Sequence, residues 1–386
     1  MNRRQVLAST GMAAPLALGG ARAMAHGGPA SGRAPSGGPA HPGRTGPRNL
    51  ITDVPGITVG CAQDAAVRTG TTVILAEGLV TAAIDVRGGG PGTRESDALE
   101  SHNLVHACNA VVLSGGSSWG LAAADGVAAQ LGARGIGYGG LAADGVPVSP
   151  IVPAAILYDL GNGGNKRWGT LPPYRDLGMA ALAAAGPDFA LGTSGAGYGA
   201  MAGALKGGLG SASTRTRDGV MVGAIVAVNA LGSSVVPGTR HFWAGAFEMG
   251  DEFGGLGPVA ARVGAEEWGG TKLPAPRENT TIACIATDLD LTAAEMKRVA
   301  IMAQDGLARA LRPVHTPFDG DVVFALSTAR RAVTGSRDLA VLTVGAVAAD
   351  TLARAIARGV HAASAPAGWA VPTWSALPTF SAMPQG

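Results

Sequence analysis

The sequence is poor in charged residues, aromatic residues and cysteine. Of its 386 residues, 15% are charged, 4% are aromatic and three are cysteines. The odd number and wide spacing of Cys61, Cys108 and Cys284 argue against the disulfide framework of a small secreted domain. Cys284 alternates with Ile282 and Ala286, which predicts that it lies in the core of the protein.

An excess of charge of either sign is also lacking. The formal net charge is +2, and Arg3, Arg4 and Arg22 lie in an N-terminal segment that we expect to be removed. A near-neutral surface is not that of a nucleic-acid-binding protein, so we expect no nucleic-acid partner. Glycine, by contrast, accounts for 61 residues, which indicates a compact protein with buried sheets and many tight turns. A glycine-rich surface of low charge also leads us to expect a homo-oligomer.

The first 25 residues resemble a twin-arginine export signal. Arg3 and Arg4 precede an apolar stretch at 6–18, and the small residues Ala23 and Ala25 suit a signal peptidase. The apolar stretch is too short to cross a bilayer, so we expect no membrane span. We expect cleavage after Ala25 and a periplasmic or secreted mature protein. The alternative is an uncleaved extension on a cytoplasmic protein.

Residues 26–48 form a second atypical segment. They are nearly all Gly, Pro, Ala, Ser and Arg and cannot bury enough apolar surface to order themselves, which predicts a disordered linker. No comparable linker follows, so residues 49–386 are predicted to form a single domain that carries the chemistry.

The rest of the chain alternates between strand-like and helix-like segments. Short β-type runs occur at 72–76, 80–86, 110–113, 220–229, 280–287 and 321–326. Helical patterns occur at 121–131, 178–185 and 346–360. The clearest helix begins at Thr292, where a capping box with Glu295 precedes apolar residues at helical spacing, and it is predicted to reach about Leu311. Strands and helices in this mixed order predict a layered α/β fold.

A polar, proline-containing loop runs directly into a hydrophobic strand at Asn279 and Thr280. If the loop holds the Asn279 carbonyl against the Thr280 hydroxyl, an N-to-O acyl shift followed by hydrolysis releases a chain that begins at Thr280. The new α-amine, with a reference pKa of about 7.7–8.0, can accept the proton of its own residue's hydroxyl. The alternative reading of the two threonines at 280 and 281 is ordinary β-propensity.

The segment 279–288 resembles the cleavage junction of the nylon-oligomer hydrolases within the DmpA family of aminopeptidases and D-esterases. The resemblance continues through the segments 49–56, 85–93, 113–121, 153–159, 205–210 and 228–232. It implies a four-layer αββα sandwich of the N-terminal-nucleophile type, self-cleaved into residues 49–279 and 280–386. It also implies an oligomer of processed protomers, no cofactor, no metal, and a small-molecule or short-peptide amide as substrate.

The resemblance assigns a role to several individual residues. Thr280 matches the nucleophile, and Asp319 and Asp321 match an acidic pair beside it. Two carboxylates separated by one glycine can both point at the new amine from a loop. Without the resemblance, a solvated Asp-Gly-Asp turn is the ordinary interpretation of these residues.

Other matched residues belong to the pocket. Asn229 matches a residue whose side-chain amide can donate to a developing oxyanion. Lys206 can depress the pKa of the new amine by repulsion, and the Tyr158 hydroxyl can hold the oxyanion or the substrate amine. A surface lysine and a buried tyrosine remain open as alternatives. The glycine turn formed by Gly116, Ser117, Ser118 and Trp119 is expected to bring main-chain amides to the substrate pocket.

The chain departs from the aminopeptidase branch of the family at two places. Members of that branch tend to have serine as the nucleophile and a Ser-x-Glu type pair in place of Asp319 and Asp321. The chain therefore leans toward the nylon-oligomer branch, which favours linear aminohexanoate oligomers as test substrates beside peptides and amino-acid amides.

An α/β-hydrolase with Ser118 as its nucleophile is the main rival. A G-x-S-x-G pattern surrounds Ser118 between a strand and a helix, and His241, His315 and His361 follow it. Asp350 precedes His361, but both fall in or beside a predicted helix rather than in the loops at strand ends. An inert protein or an acyltransferase of the same fold is a further alternative.

Two further patterns resemble known binding motifs only in part. His102 and His106 are four residues apart on a predicted helix near Cys108, but the glutamate of an H-E-x-x-H zinc motif is missing. The glycines at 88–92 lack the lysine of a phosphate-binding P-loop. We expect these glycines to let a turn of main chain pass close to the active site.

Overall fold

The computed structural model describes residues 43–139, 145–260, 262–264, 266–272 and 279–378. The predicted export signal and residues 26–42 of the predicted linker lie outside the described residues. Residues 43–48, which were assigned to that linker, belong to the folded unit. The N–H of Gly46 donates to Ser213 Oγ at 3.0 Å, and that of Arg44 donates to the Arg215 carbonyl at 3.1 Å. Hydrogen bonds of the main chain order this segment although its side chains bury little surface.

The described residues form eleven strands and five α-helices. The strands are β1 (Ile57–Asp64), β2 (Thr69–Val86), β3 (Thr93–Arg94), β4 (Ala107–Ser114), β5 (Ala154–Ile156), β6 (Met201–Ala202), β7 (Leu205–Lys206), β8 (Gly208–Arg215), β9 (Met221–Asn229), β10 (Thr280–Leu289) and β11 (Val322–Arg331). The helices are α1 (Ala122–Ala133), α2 (Tyr174–Ala183), α3 (Ala293–Ala303), α4 (Asp305–Ala310) and α5 (Arg337–His361).

The large sheet has the strand order β3, β5, β4, β2, β11, β10, β9, β8, with β1 also paired to β2. The pairs β10 with β11 and β4 with β5 are parallel, and the other pairs in this sheet are antiparallel. Strand β2 is continuous where the sequence predicted two strands. Its register with β4 shifts between Leu75 and Val80, at the left-handed Gly78. Residues 69–76 of β2 pair with β1, residues 71–75 and 80–81 pair with β4, and residues 81–86 pair with β11.

Three hydrophobic clusters separate four layers of secondary structure. The first cluster packs α3, α4 and α5 against β8, β9, β10 and β11. The second lies between those strands and the layer formed by β1, β4, β5 and the first half of β2. The third packs α1 and α2 against the outer face of β2 and β4. Cys284 of β10 belongs to the second cluster, as predicted, and the adjacent Ile285 faces the first. The predicted four-layer αββα sandwich is confirmed.

The helices that cover β10 and β11 follow the sequence closely. The predicted capping box is present, because the Thr292 N–H donates to Glu295 at 2.8 Å and the Glu295 N–H donates to the Thr292 hydroxyl. The predicted single helix is divided into α3 and α4 at Gln304. Among the described helices, α5 is long and apolar enough to cross a membrane, but its buried side chains pack in the first cluster. Its composition is therefore that of a core helix.

Candidate active site

Several strand ends meet at one edge of the large sheet. Thr280 is the first residue of β10, and Asn229, the last residue of β9, lies directly opposite it in the antiparallel pair. Asp321 immediately precedes β11, which is parallel to β10 and therefore begins at the same edge. The segment 87–90 follows β2, which is antiparallel to β11. Strand direction thus brings together segments that are far apart in the sequence.

The peptide bond between Asn279 and Thr280 lies at this edge and is almost fully buried. Thr280 is 3% exposed and Asn279 is 1% exposed. The main-chain N–H of Gly320 donates to the Asn279 carbonyl oxygen at 3.0 Å, and the Thr280 hydroxyl donates to the same oxygen. A Cβ atom on residue 320 would lie 2.8 Å from the Thr280 hydroxyl oxygen, so glycine permits this approach. A hydroxyl and a polarising donor therefore meet at one carbonyl group.

The side chain of Asn279 lacks hydrogen-bond partners. Its Oδ1 and Nδ2 atoms are buried, and neither has a partner among the described residues. A buried polar group left without a partner raises the free energy of the folded state by about 1–3 kcal/mol. Replacing this side chain by an apolar one of similar volume is therefore expected to stabilise the uncleaved chain.

Each aspartate of the predicted acidic pair accepts a main-chain N–H close to the peptide bond, one in β10 and one just after β9. Asp321 Oδ1 accepts the Thr281 N–H at 2.8 Å, and Asp319 Oδ1 accepts the Leu231 N–H at 3.1 Å. Burial and the neighbouring charge of Asp321 raise the pKa of Asp319. In the uncleaved chain, the hydrogen bonds of both carboxylates thus go to their neighbours and not to the Thr280 hydroxyl.

His315 and Thr316, which the sequence did not assign to this site, bind the other carboxylate oxygen, Oδ2, of the two aspartates. His315 binds Asp321, and Thr316 binds Asp319. The main-chain N–H of His315 donates to Asp321 Oδ2 at 3.1 Å, and His315 Nδ1 lies 2.9 Å from the same oxygen. Thr316 donates to Asp319 Oδ2 from its N–H at 3.1 Å and from its hydroxyl at 2.6 Å. The sequence indicated His315 only as a possible partner for Ser118, because spacing cannot show which carboxylate a loop histidine reaches.

Asn229 is held by contacts on both ends of its side-chain amide. Its Nδ2 donates to the Tyr158 carbonyl at 3.0 Å, and its Oδ1 accepts the Met201 N–H at 2.9 Å. The Lys272 ammonium donates to Asn229 Oδ1 at 3.2 Å and to the Asn229 carbonyl at 3.1 Å. Lys272 was not predicted, and no sequence pattern around it marked it as part of the site.

Lys206 is fully buried and is not a surface lysine. Its ammonium donates to the carbonyl oxygens of Gly197, Ala200 and Gly207 at 3.0, 3.0 and 2.7 Å. Burial lowers the pKa of Lys206 to about 7. Lys206 pairs with Met201 in the β6–β7 hairpin, and the Met201 N–H contacts Asn229. Lys206 thus reaches the site through the hairpin and Asn229.

The predicted pocket loop is bonded to the segment that contains Tyr158. The Gly116 N–H donates to Asp159 Oδ1 at 2.8 Å, and the Ser117 N–H donates to the Leu157 carbonyl at 2.9 Å. Burial raises the pKa of Asp159 to about 6. Tyr158 joins this loop to Asn229 through its carbonyl oxygen, whereas the sequence pointed to its hydroxyl.

Ser118 and Trp119 lie on the outer side of that loop. Both belong to a short 3₁₀ helix, Ser117–Leu121, and Trp119 is 49% exposed. Trp119 makes an edge-to-face contact with Trp168, whose ring packs in turn against Tyr174. The loop therefore presents an aromatic side chain to solvent beside the Tyr158 segment.

The three histidines that could have acted as the catalytic base for Ser118 contact other groups. His315 binds Asp321, the Nδ1 atom of His241 lies 3.1 Å from the Gly257 carbonyl oxygen, and the His361 ring packs against Trp374 at 4.5 Å. Asp350 and His361 both lie in helix α5, as predicted, and Asp350 pairs with Arg309. The geometry of a Ser118 triad is therefore not supported.

The predicted helix around His102 and His106 is wrong. Residues 101–106 form turns and irregular chain ahead of β4, and His106 has a φ of 30°. The N–H of Asn103 donates to the Glu100 carbonyl in a tight turn, which ends any helical pattern there. Over the described ranges, no three His, Cys, Asp or Glu side chains are grouped so that they could hold a metal ion.

The glycines after β2 perform the role that we expected of them. The N–H groups of Gly88 and Gly90 donate to the carbonyl oxygens of Asp321 and Asp319 at 3.3 and 2.8 Å. A Cβ atom on residue 88 would overlap the Asp321 nitrogen, and one on residue 89 would lie 2.7 Å from Pro317 Cα. These glycines therefore let a turn pack directly on the loop that carries both aspartates.

Comparison with known proteins identifies the family of the chain. The model of peptidase family S58 matches residues 49–371, which is most of the chain. The chain belongs to peptidase family S58. This confirms the family that the sequence motifs indicated, and as an S58 member the protein is a hydrolase of C–N amide bonds.

Several curated S58 relatives have informative names. An "uncharacterized aminopeptidase" of Mycobacterium tuberculosis is 45% identical over 345 residues, which cover 84% of this chain and 97% of the relative. The 6-aminohexanoate-oligomer endohydrolase of Paenarthrobacter ureafaciens is 30% identical over 302 residues, which cover 74% and 76%.

Solved structures show the fold of this S58 member. The β-aminopeptidase of a Burkholderia species matches with a TM-score of 0.63 at 23% identity, covering 86% of this chain and 91% of that one. The L-aminopeptidase D-Ala-esterase/amidase of Ochrobactrum anthropi matches with a TM-score of 0.62 at 23% identity, covering 84% and 89%. The latter is described as a variant of the Ntn hydrolase fold.

Proposed function

We propose that this S58 hydrolase cleaves itself between Asn279 and Thr280 and then uses Thr280 as an N-terminal nucleophile. The observation that carries the proposal is the contact of the Thr280 hydroxyl with the Asn279 carbonyl oxygen, which also accepts the Gly320 N–H. A nucleophile and a donor to the developing negative charge are thus present at a single buried peptide bond.

The cleavage step needs only groups of the chain and one water molecule. Thr280 Oγ attacks the Asn279 carbonyl carbon, and the Gly320 N–H stabilises the negative charge that develops on the oxygen. The C–N bond breaks, an ester forms, and the hydroxyl proton ends on the Thr280 nitrogen. Water then hydrolyses the ester, which leaves a carboxylate on Asn279 and a free amine and hydroxyl on Thr280.

The processed enzyme repeats this chemistry on its substrate. The Thr280 amine accepts the hydroxyl proton as Oγ attacks the substrate carbonyl, and passes the proton to the departing amine. Water then attacks the ester carbonyl while the Thr280 amine accepts its proton. The acyl group leaves as a carboxylic acid, and the Thr280 hydroxyl is restored. Asn229, directly opposite Thr280, supplies a neutral amide donor near the oxyanion. Lys206, which is connected to Asn229 through the β6–β7 hairpin, favours the unprotonated amine by repulsion when it is itself protonated.

The pocket is proposed to have the Tyr158 segment and the loop 116–119 together as one of its walls. The hydrogen bonds that join Gly116 and Ser117 to residues 159 and 157 support a common wall next to Asn229. The exposed Trp119 supplies apolar surface for an aliphatic chain. Short peptides, amino-acid amides and linear aminohexanoate oligomers are the proposed substrates, since relatives are named for aminopeptidase and aminohexanoate-oligomer hydrolysis.

Export through a twin-arginine signal and assembly of processed protomers complete the proposal. Both rest on the sequence: Arg3 and Arg4 ahead of the apolar stretch 6–18, and the glycine-rich, weakly charged composition. N-terminal sequencing of protein from the periplasmic fraction and its mass by light scattering test them. A chain that still begins at Met1 in the cytoplasm would argue against export.

The denatured masses of wild type, Thr280→Ala and Thr280→Ser test the central step. We expect wild type and Thr280→Ser to yield a fragment of residues 280–386 and its larger partner, and Thr280→Ala to stay whole. An intact wild type, or a Thr280→Ala chain cut at the same bond, contradicts the proposal.

A second measurement separates hydrolysis from acyl transfer and from the Ser118 alternative. The processed protein is incubated with amino-acid p-nitroanilides and aminohexanoate oligomers, with and without an added amine. We expect transfer of the acyl group to water, and a Ser118→Ala variant that keeps the activity. Transfer only to the amine would indicate an acyltransferase, and loss of activity in Ser118→Ala would indicate the rival nucleophile.

A further inference from the structure

His315 and Thr316 bind the two aspartates of the site in the same way. Each residue directs its main-chain N–H and a side-chain atom at the Oδ2 atom of one aspartate, at 2.6–3.1 Å. His315 serves Asp321 and Thr316 serves Asp319. We call His315 and Thr316 the aspartate clamp.

The other oxygen of each aspartate holds the main chain beside a reacting group. Asp321 Oδ1 accepts the N–H of Thr281, the residue after the proposed nucleophile. Asp319 Oδ1 accepts the N–H of Leu231, two residues beyond Asn229. Each carboxylate therefore bridges the clamp to one of the two strands that meet at the cleavage junction.

The surroundings make these bridges rigid. Asp319 and Asp321 are each 1% exposed, so water competes little for their oxygens. His315 has a φ of 55°, a left-handed conformation that is uncommon outside glycine but enriched in histidine, asparagine and aspartate. That conformation accompanies the contact of both its N–H and its ring with one oxygen, as expected where surrounding contacts determine the backbone.

We infer that the aspartate clamp, His315 and Thr316, acts through Asp321 and Asp319 to set the position of Thr280 relative to Asn229. The clamp residues are positioning residues: they touch neither the scissile carbonyl nor the Thr280 hydroxyl. The inference rests on the proposed function, because it concerns the geometry of that reaction.

For each clamp residue, one variant removes the side-chain hydrogen bond and a second variant keeps it. The comparison separates the effect of the hydrogen bond from the effect of a change in side-chain shape. Thr316→Val removes the hydroxyl at nearly constant volume, and Thr316→Ser keeps it. His315→Ala removes the ring donor, and His315→Asn supplies an amide N–H and suits the left-handed backbone. The self-cleavage rate is followed by cell-free synthesis with pulse labelling, and kcat and KM are measured on the amide that wild type hydrolyses fastest.

We expect Thr316→Val and His315→Ala to lower the self-cleavage rate and kcat by about 10- to 100-fold, as for small misplacements of reacting groups. We expect KM to change by less than about threefold, because the clamp does not line the pocket, and the thermal midpoint to stay within a few degrees. Thr316→Ser and His315→Asn should restore both rates to within about threefold of wild type.

The outcomes distinguish this inference from the proposed function. In one outcome, the wild type is processed and active while Thr316→Val and His315→Ala react at wild-type rates. This result would overturn the inference about the clamp and leave the proposed function standing. An unprocessed wild type overturns both. If His315→Ala does not fold, the smaller Thr316→Val change decides, and equal rates in Thr316→Val and Thr316→Ser then overturn the inference.

Discussion

The main-chain N–H of Gly320 donates to the carbonyl oxygen of Asn279 at 3.0 Å. The two residues are 41 positions apart, but parallel pairing of β10 and β11 places their loops side by side. A donor on this oxygen stabilises the negative charge of a tetrahedral intermediate, so the uncleaved chain already contains one element of an oxyanion hole. The same loop carries Asp319 and Asp321. Its middle residue lies so close to the Thr280 hydroxyl that a side chain would not fit, which explains why a glycine separates the two aspartates.

Replacing Gly320 by alanine should slow the proposed self-cleavage between Asn279 and Thr280. The added Cβ would lie 2.8 Å from the Thr280 hydroxyl oxygen and 2.7 Å from the Gly90 carbonyl oxygen, so the hydroxyl or the loop must move. We expect release of the 280–386 fragment to slow by about 100-fold, since misplacement of a nucleophile is costly. Gly186→Ala is the matched control, because a Cβ there meets no atom within 4 Å. Equal processing of both variants would contradict the prediction.

Replacing Asn279 by leucine should stabilise the uncleaved protein. The change is made in the Thr280→Ala background. It replaces a buried amide, which has no partner among the described residues, by an apolar side chain of similar volume. We expect the free energy of unfolding in urea to rise by about 1–3 kcal/mol. Asn109→Leu in the same background is the control, since the buried Asn109 accepts the Ile151 N–H at 3.0 Å and its loss should destabilise. A fall of similar size in both variants would refute the argument.

Replacing Lys206 by methionine should remove a pH dependence of stability. Burial lowers the pKa of Lys206 from 10.5 to about 7, so between these values the unfolded chain binds more protons at this residue than the folded chain. The wild-type free energy of unfolding should therefore gain up to about 1.4 kcal/mol per pH unit in this window relative to Lys206→Met. Below pH 7 the difference between the two proteins should be constant. Urea unfolding from pH 6 to 10 measures it, and a flat difference throughout would show that Lys206 does not titrate in this range.

Replacing Arg354 by methionine should loosen the association of the two chains that the proposed cleavage would create. Arg354 of α5 is fully buried and donates to Glu252 Oε2, Asn49 Oδ1 and the Ser213 carbonyl at 2.9, 2.9 and 3.0 Å. All three partners lie in the predicted large chain, so one side chain joins both products.

The loss of Arg354 leaves Glu252 buried without its main partner, which costs about 3–5 kcal/mol. Urea unfolding of the processed protein measures this loss. Arg330→Met is the control, because Arg330 and Glu77 form a pair with side chains 47% and 74% exposed, and it should change stability by less than about 1 kcal/mol. Equal effects of the two variants would mean that burial of Arg354 is not the reason.

Part of the secondary structure followed from local pattern, and part could not. The capping box at Thr292 and the alternation around Cys284 depend on neighbouring residues, and both were predicted correctly. Strand β8 was missed because its sequence is rich in glycine, serine and threonine and has no hydrophobic alternation. Its small residues are explained by the packing of α5, since a Cβ on Gly210 would overlap the Ala355 carbonyl oxygen. Such a requirement exists only once the helix lies on the sheet.

The sequence by itself determined the family, the layered fold and the strand that begins at Thr280, because motifs and strand periodicity are properties of contiguous residues. Only the tertiary structure decided which groups meet there. The donation from Gly320 to Asn279, the contact of Lys272 with Asn229 and the attachment of His315 to Asp321 join residues of different loops. These contacts depend on strand pairing and on loop paths measured in ångströms, and no spacing along the chain encodes them.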